Sequence, residues 1–271
     1  HLESDESLGL PKIMITDGPH GLRKAKGKDY VPAEGEDDKK GGIGLGNSVP
    51  TTCFPPACTS SCSWDPELLE KEGEAMGQEC LKEQVSTILG PGTNIKRAPV
   101  CGRNFEYYSE DPLLAGVLAG AMVKGIQSQG VAATVKHFAL NNKETDRKHS
   151  DSRVSERAAR EIYLKAFEYV IKGAKPWAVM SSYNIINGCY ASENKELLED
   201  ILRDEWGFDG MVTTDWWTLG EHYKEVKAGN DMKMACGDPK RLKEAMDQGL
   251  LTRQDLEHCA ERVLNLILKL D

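Results

Sequence analysis

Residues Gly210–Trp217 read Gly-Met-Val-Thr-Thr-Asp-Trp-Trp, and this stretch decides the fold that the sequence predicts. Its β-branched run Val212–Thr214 favours a short buried strand, which would present Asp215 at its carboxyl end. A carboxylate beside Trp is typical of carbohydrate sites, because the indole offers a flat apolar face and the carboxylate can act as a nucleophile. A structural alternative is that Asp215 caps a helix beginning near Leu219.

The same succession of strand, loop and helix recurs along the whole chain. Strands are predicted at residues 12–16, 51–56, 85–89, 131–135, 177–181 and 231–234, and helices at 66–80, 112–129, 155–172, 196–206, 219–227, 239–248 and 252–270. This alternation implies a parallel sheet. In a chain of 271 residues it favours a single (β/α)8 TIM-type barrel domain, irregular or incomplete at its N-terminal strands. Residues 1–11 are predicted to be a polar arm and residues 24–48 a long loop.

Polar side chains of different chemistry follow the predicted strands. They are Asp17, Lys136, His137, Tyr183 and Asp215, with Arg103 in a loop that reaches the same end of the barrel. Residues that follow the strands of a barrel share one rim, so these groups are expected to meet. Independent helix caps would rarely be this varied, which favours one shared site. Its Lys, His and Arg donors suit the hydroxyl groups of a sugar.

Charge and composition exclude several other classes of function. The net charge of −9 argues against nucleic acid or an anionic membrane as a partner. The sequence has neither a span apolar enough for a bilayer nor a signal peptide at its start. The eight cysteines are predicted to be mostly buried, reduced thiols, which favours a cytoplasmic location over a disulfide framework.

Motifs for cofactor chemistry are missing as well. The sequence has no glycine-rich nucleotide loop, no metal-binding cluster and no serine elbow, so a reaction at carboxylates without a cofactor or metal is predicted. Glycoside hydrolysis is the leading example, and it requires two carboxyl groups.

Seven motifs together resemble glycoside hydrolase family 3, in the N-terminal barrel domain of its β-glucosidases. They are Thr16–Arg23, Gly102–Glu106, Lys136–Phe138, Val154–Arg157, Ser182–Gly188, Trp206–Gly210 and Thr214–Trp216. They occur in the order of the family and cover the chain from Leu10 to about Lys269, which makes the resemblance specific.

The resemblance implies a role for each residue of the rim. Asp215 matches the nucleophile of a retaining β-glucosidase, which forms a covalent glycosyl–enzyme. The positions that hold the terminal β-D-glucosyl residue match Asp17, Arg103, Lys136, His137 and Arg147. Tyr183 matches the tyrosine beside the nucleophile, and Met180 and Trp216 match the apolar walls of the site. The cations around Asp215 are expected to keep its pKa low.

The second carboxylate has no counterpart in this sequence. In the β-glucosidases that the chain resembles, the acid/base Glu belongs to an α/β sandwich domain, which is absent here, so another segment or chain is expected to supply it. A chain starting at His1 would fit a member with reversed domain order. The residues around Ala235 also depart from the family, which usually has Pro there.

Two alternatives stay open from the sequence. Single-domain members of the same family are β-N-acetylhexosaminidases that use a loop His as acid/base. Their loop motifs are missing, and His149 is the local candidate. The other alternative is a barrel that binds sugar without turnover.

Overall fold

The computed structural model describes residues 2–27, 48–235 and 237–270. These residues form an α/β fold around a parallel sheet of five strands. The strands are β1 (Ile15–Asp17), β2 (Thr87–Leu89), β3 (Ala132–Phe138), β5 (Ala178–Ser181) and β8 (Met211–Thr214). Their order across the sheet is β1-β2-β3-β5-β8. A smaller three-stranded sheet contains β4 (Asp151–Ser152), β6 (Ile185–Ile186) and β7 (Cys189–Tyr190).

The helices alternate with the strands of the main sheet. They are α1 (Ala57–Ser60), α2 (Pro66–Lys82), α3 (Pro112–Ser128), α4 (Glu156–Ala158), α5 (Lys165–Ala174), α6 (His222–Lys227), α7 (Pro239–Asp247) and α8 (Arg253–Lys269). π-helical turns span Ala159–Tyr163, between α4 and α5, and Glu196–Glu205. The predicted helix starts at Asp65 and Asp111 are confirmed, because each carboxylate accepts main-chain hydrogen bonds of the first turn.

The outer face of the sheet packs against α2, α3 and α5. Phe138 at the end of β3 lies edge-on to Phe167 and Trp206, with ring centroids 5.1 and 5.8 Å away. These rings belong to the largest buried apolar cluster of the described residues. Burial of such aromatic pairs anchors β3, the strand that carries Lys136 and His137.

The inner face of the sheet is covered by the last helix. Ile15, Leu89 and Met180 share one buried cluster with Ile267, and Val263 of α8 packs against it. Helix α8 therefore fills space that further strands of a closed barrel would enclose.

The predicted eight-stranded closed barrel is not seen, because the main sheet formed by the described residues has five strands. Residues 51–56 form no strand; they contain Pro55 and Pro56, which lack the N–H groups that a sheet requires. Residues 231–234 contribute a single bridge from Met232 to Thr213 rather than a strand. The confirmed part of the prediction is thus an α/β fold with a parallel half-barrel sheet.

The N-terminal arm is held by main-chain hydrogen bonds and by apolar contacts. Leu2 and Ile13 exchange two main-chain hydrogen bonds of 2.9 and 3.1 Å. Leu2 and Leu10 also pack against the inner cluster, and this apolar contact holds the arm. Most of the loop predicted at 24–48 lies outside the described residues.

The described cysteines are free thiols, but fewer of them are buried than predicted. Cys80, Cys101 and Cys259 are buried, whereas Cys53 and Cys62 are exposed. None of the described helices combines the length and apolar character that crossing a membrane requires.

Candidate active site at the carboxyl ends of the strands

Asp215 follows β8 directly and is 6% exposed. Its main-chain N–H donates to the carbonyl of Ser181, at 3.2 Å, which continues the pairing of β8 with β5. Its Oδ1 accepts a hydrogen bond of 2.7 Å from the main-chain N–H of Trp216. The next helix begins at His222 and has Glu221 at its N-cap. The helix-cap alternative for Asp215 is therefore excluded.

Asp17 is the last residue of β1, at the edge of the sheet opposite to β8, and it is held by two cations. Lys136 Nζ donates to its Oδ1 at 2.6 Å, and Arg23 lies 3.3 Å from its Oδ2. Burial alone would raise the pKa of Asp17, but the charge and hydrogen bond of Lys136, together with Arg23, bring this pKa below its ordinary value. Asp17 is thus an anion that can accept hydrogen bonds from hydroxyl groups.

His137 faces the candidate nucleophile, with its Nε2 3.8 Å from Oδ2 of Asp215. Its Nδ1 is 3.0 Å from the hydroxyl of Tyr107, and Asn94 bonds both its main-chain N–H and its carbonyl. Burial, and then the nearby Arg103 and Lys136, hold the pKa of His137 well below its ordinary value. The imidazole is therefore neutral at physiological pH.

An irregularity in β3 marks the position of these two side chains. The pairing of β3 with β5 shifts register between Val135 and Phe138, where Lys136 and His137 lie. Such irregularities re-aim side chains and occur often beside active sites. The structure brings both residues to the site, where Lys136 forms an ion pair with Asp17 and the His137 ring lies beside the carboxylate of Asp215.

Arg103 reaches the site from the loop after β2. Its Nε pairs with the buried carboxylate of Glu106 through a short hydrogen bond. Burial would lower the pKa of Arg103, but Tyr107 and Glu106 beside it raise the pKa overall, so the guanidinium stays charged. The positive charge of Arg103 acts to lower the pKa of both His137 and Asp215.

Tyr183 connects Asp215 with the turn that carries Arg147. The Arg147 guanidinium lies 4.4 Å above the Tyr183 ring, and Nη1 of Arg147 donates to Oε2 of Glu144 at 2.9 Å. Burial, and then the neighbouring Asp215, raise the pKa of Tyr183, so its hydroxyl keeps its proton. Arg147 thus contacts the ring of Tyr183, whose side chain interacts with Asp215.

The predicted low pKa of Asp215 is wrong. Burial raises this pKa above its ordinary value, and the opposing effects of the Trp216 N–H, Lys136, Arg103 and Tyr183 do not reverse the shift. The Oδ2 atom is buried and has no hydrogen bond of standard geometry within the described part of the chain. A buried carboxylate oxygen without such a bond is available to a ligand.

The two predicted apolar walls lie together in the inner cluster. Met180 is fully buried there, and the half-buried Trp216 packs against the same cluster. Their contact with a sugar stays a prediction. His149, the candidate of the hexosaminidase alternative, is exposed and bonds Asp146 at 2.8 Å.

Sequence reasoning missed several residues that hold this site. Asn94 and Tyr107 brace His137, Glu106 holds Arg103 and Glu144 holds Arg147. The aromatic and acidic loop around Glu106 was a signal, whereas a lone Asn at position 94 gave none. Residues 2–27, 48–235 and 237–270 contain no cluster of three or more His, Cys, Asp or Glu residues suited to a metal ion.

Comparisons with known proteins identify the family to which the chain belongs. Residues 20–266 match the family described as glycosyl hydrolase family 3 N terminal domain. The exo-α-(1→6)-L-arabinopyranosidase of Bifidobacterium longum is 50% identical over 99% of this chain and 34% of its own length. Thermostable β-glucosidase B of Acetivibrio thermocellus is 48% identical over 98% of this chain and 34% of its own length.

Solved structures show the same fold. β-Glucosidase 3B from Thermotoga neapolitana, in complex with α-D-glucose, superimposes with a TM-score of 0.88 at 42% identity. The match covers 98% of this chain and 36% of that one. The chain therefore spans about a third of the length of the curated relatives that it matches.

Proposed function

Since the chain belongs to glycoside hydrolase family 3, we propose that it is the nucleophile-bearing domain of a retaining β-glucosidase, which hydrolyses terminal non-reducing β-D-glucosyl residues. The observation that carries this proposal is the environment of Asp215. Its buried Oδ2 has no hydrogen bond of standard geometry and lies 3.8 Å from a neutral His137. Relatives and solved structures named as β-glucosidases support the choice of substrate.

In the proposed first step, Oδ2 of Asp215 attacks the anomeric carbon. A new carbon–oxygen bond forms as the bond to the leaving group breaks, and the leaving-group oxygen takes the bonding electrons and a proton. Water then attacks the same carbon and gives one proton to the group that protonated the leaving group, while the bond to Oδ2 breaks and releases glucose and the free carboxylate. Asp17 accepts hydrogen bonds from sugar hydroxyls, while Lys136 and Arg103 donate them.

The proton for the leaving group requires a second carboxyl group, which we propose comes from another segment or chain, such as an α/β sandwich domain. The acidic groups near the described site are already paired with cations. Asp17 bonds Lys136, and Glu106 bonds Arg103. The charge of Lys136 favours the ionised form of Asp17, whereas a general acid must hold its proton.

A second candidate is an α-L-arabinopyranosidase, because the relative of that name is 50% identical. The two activities differ in the sugar that the first subsite accepts. Both would use Asp215 as the nucleophile, so one labelling experiment addresses the two candidates together.

The test is covalent labelling of the chain by 2,4-dinitrophenyl 2-deoxy-2-fluoro-β-D-glucoside, followed by peptide mass spectrometry. We expect label on Asp215, since a leaving group this acidic departs without protonation. Asp215→Asn should not be labelled, whereas Asp209→Asn, a change in an exposed neighbouring turn, should label normally. Label on Glu106 would contradict the assignment. Faster labelling by the corresponding α-L-arabinopyranoside would favour the second candidate.

A further inference from the structure

Trp217 lies two residues beyond Asp215 and is 60% exposed. Exposure rises steadily along this turn: Asp215 is buried, Trp216 is half-buried against the inner cluster and Trp217 projects into solvent. The main chain of Trp217 has a φ of 50°, a left-handed conformation that bulky side chains rarely adopt. Such outliers persist where the surrounding structure holds them, and they are common at functional sites.

One side of the turn is held by Lys148. Its Nζ donates to the Trp217 carbonyl at 2.9 Å and lies 5.0 Å above the Tyr183 ring. Tyr183 in turn interacts with Asp215. The main chain of Trp217 is thereby tied to residues of the proposed first subsite.

The other side of the turn is held by Lys233. Its Nζ donates to Thr218 Oγ1 and to the Gly220 carbonyl, each at 3.1 Å, and it pairs with Glu225. Both charged side chains of this pair are buried. The turn is thus fixed from both ends, and an indole on a fixed turn loses little conformational entropy when a ligand stacks on it.

We propose that Trp217 is the stacking surface for the ring of the leaving group. This inference rests on the proposed function, in which the glucosyl residue occupies the buried site between Asp17 and Asp215. The leaving group must then lie on the solvent side of Asp215, where Trp217 is displayed. An indole face binds flat rings, either aryl groups or the apolar face of a second pyranose. The structure thereby assigns a preference for glucosides with a ring-shaped aglycone over small alkyl glucosides.

The test is calorimetric titration of the chain with three thioglucosides, which resist hydrolysis. Methyl 1-thio-β-D-glucoside reports the first subsite alone, while phenyl 1-thio-β-D-glucoside and thiocellobiose add an aryl or a sugar ring. We expect the ring-bearing ligands to bind about tenfold tighter than the methyl compound, given the usual strength of aromatic stacking. Whichever ring gains more identifies the source of the aglycone.

In Trp217→Ala this tenfold difference should disappear while the affinity for the methyl compound stays unchanged. Trp217→Phe should retain part of it. Leu219→Ala removes another exposed apolar side chain of the same loop and should change neither affinity. Lys148→Met should weaken the difference by freeing the turn.

Two failures are distinguishable. If the methyl compound binds but Trp217→Ala still binds the ring-bearing ligands more tightly, the inference is overturned. If this difference in affinity is instead lost in Phe105→Ala, the stacking surface lies on the exposed Phe105. If the unmodified chain binds none of the three ligands, the proposed function and the inference both fall.

Discussion

At Asp215, burial and the neighbouring cations act on the pKa in opposite directions. Burial disfavours the anion and prevails in the free protein, while Lys136 and Arg103 limit the rise. In the proposed mechanism Asp215 must be ionised to act as a nucleophile, so the charge of Lys136 is expected to favour its reactivity besides holding Asp17. This balance predicts a measurable pH dependence.

The rate of labelling by the fluoroglucoside should fall as pH decreases, with a midpoint above the ordinary Asp pKa of about 3.9. Lys136→Met should shift this midpoint to higher pH, because the carboxylate loses a cation that stabilises its anionic form. The measurement is the second-order rate constant of labelling against pH, at reagent concentrations well below saturation. Lys124→Met, an exposed change on α3, should leave the midpoint in place, and an unshifted midpoint in Lys136→Met would refute the electrostatic role.

The sequence was sufficient to predict which residues follow the strands, because strand ends in a parallel sheet share one edge. It could not predict that the pKa of Asp215 is raised, since desolvation depends on how deeply the folded chain buries a group. It also could not reveal Asn94, whose two hydrogen bonds to the main chain of His137 join segments far apart in the chain.

Among the elements, helices α2 and α3 approach each other most closely at glycines. A Cβ atom on Gly125 would collide with the main-chain carbonyl oxygen of Glu70, and one on Gly73 would lie 2.5 Å from the carbonyl oxygen of Met122. The main chains therefore touch, which places α3 tightly behind β3. The predicted starts of α2 and α3 are confirmed, because Asp-Pro starts a helix at both sites.

Gly125→Ala should destabilise the fold by about 1–3 kcal/mol, the usual cost of overpacking. Gly120→Ala is the matched control, since its Cβ would meet Ala174 at an ordinary 3.6 Å. That change should be neutral or stabilising, because Ala has a helix propensity about 1 kcal/mol better than Gly. Urea denaturation measures both; equal stability of the two variants would show that the helices can separate without cost.

For the whole molecule, the decisive feature is that one parallel sheet gathers the site from four of its strands and the loops after them. Asp17 lies on β1 and Lys136 on β3, while Tyr183 follows β5 and Asp215 follows β8. The number of strands was overestimated because loops such as 51–56 mimic strand composition. Locally, the cations balance Asp17 and Asp215 although the chain as a whole carries a net charge of −9.

If the acid/base lies in another segment, reaction of the chain of 271 residues should depend steeply on the leaving group. We expect 2,4-dinitrophenyl β-glucoside to release a burst of about one dinitrophenolate per chain, because this group departs without a proton. Cellobiose should react far more slowly. Stopped-flow absorbance and glucose release measure the two reactions, and Asp215→Asn should abolish the burst. Efficient cleavage of cellobiose by the chain alone would place the acid/base within it.

Helix α8 has a consequence for how the protein is made. Its Ile267 completes a cluster with Ile15, from the opposite end of the chain, so this core cannot close until nearly all of these residues have left the ribosome. Contacts between such distant segments form late, after local pairs such as α2 and α3. Until then the inner apolar face of the sheet stays exposed to water, and a nascent chain stalled before α8 is expected to need a chaperone.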